Sequence, residues 1–134
     1  MFDSPATRDT PPGAASPHET VPDEAVLDET VLGIDPGLSA CGFGAVRRAG
    51  DSFEAVASGA IRTERTLPLA TRLAALQDAL ADLVADLDPI AVVVERVLFQ
   101  TNARTAISVG QASGLALVVA ARQGSRSCST APTR

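Results

Sequence analysis

The sequence predicts a single α/β domain with a mixed sheet, in the order strand, strand, strand, helix, strand, helix. Three observations carry that prediction. Apolar and alternating stretches broken by turn residues occupy 31–63. One apolar stripe at the helical period follows over 69–87. An apolar run rich in valine at 90–94 then precedes a second long helical pattern.

Order begins after an unlike segment. Residues 1–30 hold five of the nine prolines and seven of the sixteen acids against one base, Arg8, a net charge of −6. Without a hydrophobic period such a stretch cannot offset its ordering entropy, so a disordered tail is expected, either inert or a site of interaction. The remaining residues, 31–134, carry nine acids and ten arginines, so the acidity of the whole chain is a property of the tail and does not argue against nucleic acid.

Val31-Leu-Gly-Ile-Asp35 is a buried strand ending on an acid before a Pro-Gly turn. Cys41–Arg48 alternates weakly as a second strand, and Ala49-Gly-Asp-Ser52 is a turn. Phe53–Thr63 makes a third strand, with Phe53, Ala55, Ala57 and Ile61 expected inward, which completes an antiparallel meander. Leu69, Leu73, Leu76, Leu80, Leu83, Val84 and Leu87 form one helical stripe. Thr66 is placed to cap that helix, Pro68 to sit in its first turn, and Asp88-Pro89 to close it. Arg72, Gln77, Asp78, Asp82 and Asp86 take the opposite, polar face. Ile90–Val94 reads as a central strand buried on both faces and ends on Glu95. The second helix spans about 102–123 and is dense in small residues. Ala106, Gly110 and Gly114 recur at four-residue steps, a smooth strip suited either to close packing on the chain's own sheet or to a helix–helix dimer contact.

Asp35 and Glu95 are the residues with chemistry. Each ends an apolar strand, and in open α/β sheets the ligand crevice lies at such ends. A carboxylate pair that stays ionised there normally holds a cation, and hard oxygen donors suit Mg²⁺ or Mn²⁺. The alternative is two acids that merely cap strand ends. Gly33, Gly37, Gly42 and Gly44 permit close backbone approach but match no phosphate-loop or dinucleotide fingerprint. The one histidine, His18, lies in the tail, so no Ser-His or Cys-His arrangement can be built. Cys41 and Cys128 make no disulfide framework, no signal-peptide pattern opens the chain, and no apolar run approaches the roughly 20 residues that span a bilayer. A soluble cytoplasmic protein with no membrane partner is expected.

Taken together, Val31–Gly37 (VLGIDPG), Cys41–Gly44, Ser58–Thr63, Glu95–Asn102 and Ser108–Gly114 (SVGQASG) resemble the RuvC family of Holliday junction resolvases, in order and at the family's spacing from about Val31 to Gly124. The resemblance implies an RNase H-like fold and a homodimer. It also implies Mg²⁺-dependent nicking of symmetric strands at four-way DNA junctions in recombination and repair, alongside a branch-migration helicase. It makes Asp35 and Glu95 metal ligands and puts a junction-entering side chain at Leu98 or Phe99. Arg96 and Arg104 become phosphate contacts, and Ala106, Gly110 and Gly114 a dimer strip. An RNA-directed relative or an actin-like nucleotide-binding fragment fits the blocks after Glu95 less well. Where the family continues into a strand and an acid-bearing helix, residues 125–134 show neither acid nor hydrophobic pattern. They are expected to be unstructured and foreign to the fold, leaving it incomplete, with half the acidic site. A non-catalytic, junction-binding or dimerising fragment is the alternative function.

Overall fold

The computed structural model describes residues 29–96 and 102–130; the tail up to residue 28, and Leu98 and Phe99, lie outside them. The elements are β1 (Thr30–Asp35), β2 (Ala40–Ala49), β3 (Ser52–Arg62), α1 (Leu69–Leu87), β4 (Ala91–Glu95), α2 (Ala103–Arg122) and β5 (Arg126–Thr130). They form one five-stranded sheet in the order β3-β2-β1-β4-β5. The first three strands are the expected antiparallel meander, and β4 joins β1 in parallel.

Alternation divides the sheet. Thr30, Leu32 and Ile34 of β1, Cys41 and Ala45 of β2, and Val92 and Val94 of β4 are buried. The apolar ones share a core with Leu76, Leu80 and Val84 of α1 and Ala112, Ala116, Val119 and Ala120 of α2. Both helices therefore cover the same face, and Gln123 Nε2 ties them by donating to the Ala81 carbonyl at 2.8 Å. Small alanines on α2 let its backbone lie close to the sheet. By length and composition α2 also qualifies as a membrane-crossing helix. Its Ala112–Ala120 side is instead a core face.

Several expectations need correction. Val92 and Val94 are buried, but Ala91, Val93 and Glu95 are only half-buried, because β4 is internal to the sheet yet covered by helices on one face alone. Phe53 is 73% exposed. The β2–β3 ladder shifts between Ala45, paired with Ala57, and Val46, paired with Ala55, so Val56 is an extra residue. That bulge puts Ala55 and Ala57 on opposite faces and turns Phe53 away from the helices. The hairpin itself closes through Gly50 at φ 62°, a conformation that favours glycine. Thr66 does not cap α1; its hydroxyl donates to Glu64 Oε1 at 3.2 Å, and the N-cap residue is Pro68, with no side-chain bond. The other end closes as expected, on Asp88 in the left-handed region. At α2 the Asn102 side chain accepts from the Arg104 N–H at 2.9 Å.

The largest correction concerns the end of the chain. Residues 126–130 are not unstructured but form β5, parallel to β4 from Ala91↔Arg126 to Glu95↔Thr130. Gly124 at φ 77° ends α2, and the Ser125 hydroxyl donates to the Pro89 carbonyl at 2.8 Å. Strand pairing is made by backbone groups. Small polar side chains at a sheet edge satisfy it without the hydrophobic pattern that usually reveals a strand.

Candidate active site

Pairing of Ile34 with Val94 sets Asp35 beside Glu95, at the C-terminal ends of two adjacent parallel strands. By alternation both carboxylates project from the helix-free face, together with Gly33 and Val93. The neighbouring β2 positions on that face, Gly42 opposite Asp35 and Gly44 opposite Gly33, have no side chain. A Cβ built on Gly42 would lie 3.4 Å from Asp35 Cβ. The consequence is an open groove of about 440 Å³ bordered by Gly33, Asp35, Gly42, Gly44, Val93 and Glu95. Asp35 is exposed and Glu95 half-buried.

Gly37 shapes the turn after Asp35. A Cβ there would collide with the Ala40 carbonyl, so the β1–β2 turn closes only over glycine. Cys41, buried on the opposite side of β2, has its thiol pKa pushed up by burial and then by the charge of Asp35, against the pull of a backbone hydrogen bond from Gly37. It is a neutral packing group behind the acid, not a nucleophile.

Asp35 and Glu95 are thus brought together as expected, whereas Arg96 is exposed beside Glu95 and Arg104 stands apart. Arg104 lines a different cavity, of about 290 Å³, with Ser39 and Arg72. Ala106, Gly110 and Gly114 are exposed on α2, away from its core face. A Cβ at either glycine would meet nothing within 4 Å. Packing on the chain's own sheet therefore does not account for the strip. Among the described residues no group of three or more His, Cys, Asp or Glu could hold a metal ion.

Sequence reasoning missed Arg72, expected on the solvent face of α1. It is half-buried. Its Nε donates to Thr63 Oγ1 at 3.0 Å and its Nη2 to Ser39 Oγ at 3.1 Å. Thr63 Oγ1 in turn donates to the Leu38 carbonyl at 2.6 Å. The only available signal was position: Arg72 lies near the start of the helix, where the β1–β2 loop and the end of β3 converge.

A family model described as "Crossover junction endodeoxyribonuclease RuvC" matches residues 31–134. The match runs past Gly124, through β5 to the last residue. The crossover junction endodeoxyribonuclease RuvC of Zymomonas mobilis is 44% identical over 93 residues, which cover 69% of this chain and 56% of that protein. The protein of the same name from Thermobifida fusca is 46% identical over 95 residues, 70% of this chain and 52% of that one. In three dimensions, T. thermophilus RuvC in complex with Holliday junction substrate superposes with a TM-score of 0.70 at 27% identity, covering 78% of this chain and 65% of that chain. The chain spans somewhat more than half the length of these curated relatives.

Proposed function

The chain belongs to the RuvC family of crossover junction endodeoxyribonucleases, and from that premise we propose that it acts on four-way DNA junctions in the cytoplasm. Asp35 and Glu95 contribute carboxylates to a phosphodiester-hydrolysing centre. The observation that carries this reading is their placement side by side at parallel strand ends, beside a groove that Gly33, Gly42 and Gly44 keep shallow among the described residues. Those glycines leave room for close approach of a nucleic-acid backbone.

The donor set fits a hard divalent cation such as Mg²⁺ or Mn²⁺, since both groups are carboxylates and the open groove leaves room for water to complete an oxygen shell. When bound, such an ion supplies Lewis-acid stabilisation of charge on the scissile phosphate. Asp35, exposed in the groove, and half-buried Glu95 would hold it from neighbouring strands, and Arg96 would neutralise an adjacent phosphate. Two carboxylates suffice for one ion with water but leave a two-ion site short of anionic oxygens. A site with these two acids alone would cut slower by orders of magnitude than one with a fuller set. Among the described residues no group of three or more His, Cys, Asp or Glu could hold a metal ion, which favours a second reading, in which the chain binds junctions without cleaving them.

In either reading the exposed strip of Ala106, Gly110 and Gly114, bordered by Ile107 (61% exposed) and Val118 (44% exposed), is the homodimer contact. A twofold partner would present two such sites to symmetric strands. A gel assay tests the proposal, using a synthetic four-way junction, a matched duplex and Mg²⁺. The expected result is tighter binding to the junction than to the duplex, with any paired nicking abolished in Asp35→Asn. Equal affinity for both substrates, or nicks that persist in Asp35→Asn, would refute it.

A further inference from the structure

The geometry points to a phosphate-binding pocket on the helix-covered side of the β1–β2 loop, with Arg72 and Arg104 as its cationic arms. Three separate elements build it. The loop contributes Leu38 and Ser39, α1 contributes Arg72, and α2 contributes Arg104, Thr105 and Ser108, around a cavity of about 290 Å³. Among the described residues its lining holds two guanidinium groups, three hydroxyls and no carboxylate.

The charge balance makes the case. Arg72 is half-buried, and both of its protein hydrogen bonds go to neutral hydroxyl oxygens, Thr63 Oγ1 and Ser39 Oγ. These fix the plane of the guanidinium without neutralising it. Among the described residues the ion pair is Arg47 with Glu54, on the far hairpin, so neither Arg72 nor Arg104 has a carboxylate partner there. A cation oriented by neutral acceptors beside a cavity, with a second cation across it, is complementary to an anion carrying several oxygens. Guanidinium forks match phosphate in that geometry. Ser39 accepts from Arg72 and so keeps its own O–H to donate, whereas the Ser108 hydroxyl is already committed to the Arg104 carbonyl at 2.9 Å.

Only the source of the phosphate rests on the functional reading above. Ser39 follows Asp35 by four residues, so the pocket and the acid pair flank one short loop from opposite sides of the sheet. The source assigned to the phosphate is a DNA backbone that passes this loop while engaged at Asp35 and Glu95.

The test has two arms, both on the full chain. The first is an NMR titration with inorganic phosphate at constant ionic strength, following the Arg72 Nε–H and the backbone amides of residues 104–108. Saturable shifts are expected, weakened about tenfold in Arg104→Ala, the worth of one charged hydrogen-bonded contact. Arg104 is exposed, so this variant should keep the parent melting temperature. Non-saturating shifts, or shifts that Arg104→Ala leaves unaltered, overturn the pocket. The second arm measures four-way junction binding against salt. A slope of log K on log salt reduced by about one in Arg104→Ala supports a DNA phosphate. An unchanged slope with saturable phosphate binding overturns that source and assigns the pocket to a free phosphate. If the parent chain binds phosphate but no junction, the pocket stands and the proposed function falls.

Discussion

The two faces of this sheet are written in alternate residues of the same strands, yet they follow opposite rules. Toward the helices β1 presents Leu32 and Ile34, and β4 presents Val92 and Val94, all nearly without solvent contact. Toward the other side the same strands present Gly33, Asp35, Val93 and Glu95, joined by Gly42 and Gly44 of β2. One face is filled to the density that makes a core. The other is kept low by three glycines, and among the described residues its strand ends carry two carboxylates. A period of two is enough to encode both, because successive side chains of a strand point to opposite sides.

The sharpest way to break this comparison is in the filled face. Leu80→Ala removes a side chain that is 1% exposed and central to the core. It should lower unfolding stability by about 2–5 kcal/mol, read from urea denaturation. A loss below 1 kcal/mol would mean that α1 is not held as described.

The helix α2 repeats the division, with its alanine face inward and Ala106, Gly110 and Gly114 outward. Gly114→Leu should weaken self-association by one to two orders of magnitude in sedimentation, the cost of about 1–3 kcal/mol for bulk forced into a close contact. Because an added Cβ meets nothing within 4 Å among the described residues, the monomer's fold should be retained. An unaltered association constant would place the dimer elsewhere.

A subtler change fills the open face. Gly42→Ala fits beside Asp35 at ordinary contact distance, whereas the branched methyls of Gly42→Val would crowd the carboxylate. Mn²⁺ affinity, followed by electron paramagnetic resonance, should then fall about tenfold in Gly42→Val but hold in Gly42→Ala, with little change in melting temperature. Equal affinities in both variants would show that the groove is not where the cation sits.

The smallest effect is expected at Cys41, on the filled face behind Asp35. Its thiol pKa is raised by burial and by Asp35, so the folded protein keeps a proton that the unfolded chain loses. Its contribution to stability is full below the ordinary thiol pKa and drains away as pH climbs through the raised value. Cys41→Ala should flatten that alkaline decline in a series of thermal melts. At neutral pH iodoacetamide should modify exposed Cys128 well before Cys41.

Particular residues show how far the sequence could be read. The stripe from Leu69 to Leu87 became α1 with those bounds, and the acids at 35 and 95 each end a strand, because period and strand-end position are local properties of the chain. Phe53 went the other way. Its environment depends on a bulge at Val56 that no local pattern announces, and on β3 lying at a sheet edge where the helices cover little. Arg72 has the spacing of a solvated residue, and only the arrival of Thr63 and Ser39, 9 and 33 residues away, turns it inward.

By itself the sequence determined the order of the first six elements, which strand ends carry carboxylates, and which positions are bare enough for close approach. These follow from hydrophobic period and residue size, which act within a few residues of where they are written. The tertiary structure alone decided the parallel register that sets Asp35 against Glu95, the cavity shared by Arg72 and Arg104, and the fate of Arg126–Thr130. Those residues carry no hydrophobic signal of a strand. They form β5 because β4 offers an unpaired edge, Gly124 ends the helix beside it, and backbone hydrogen bonding does not depend on which side chains are present.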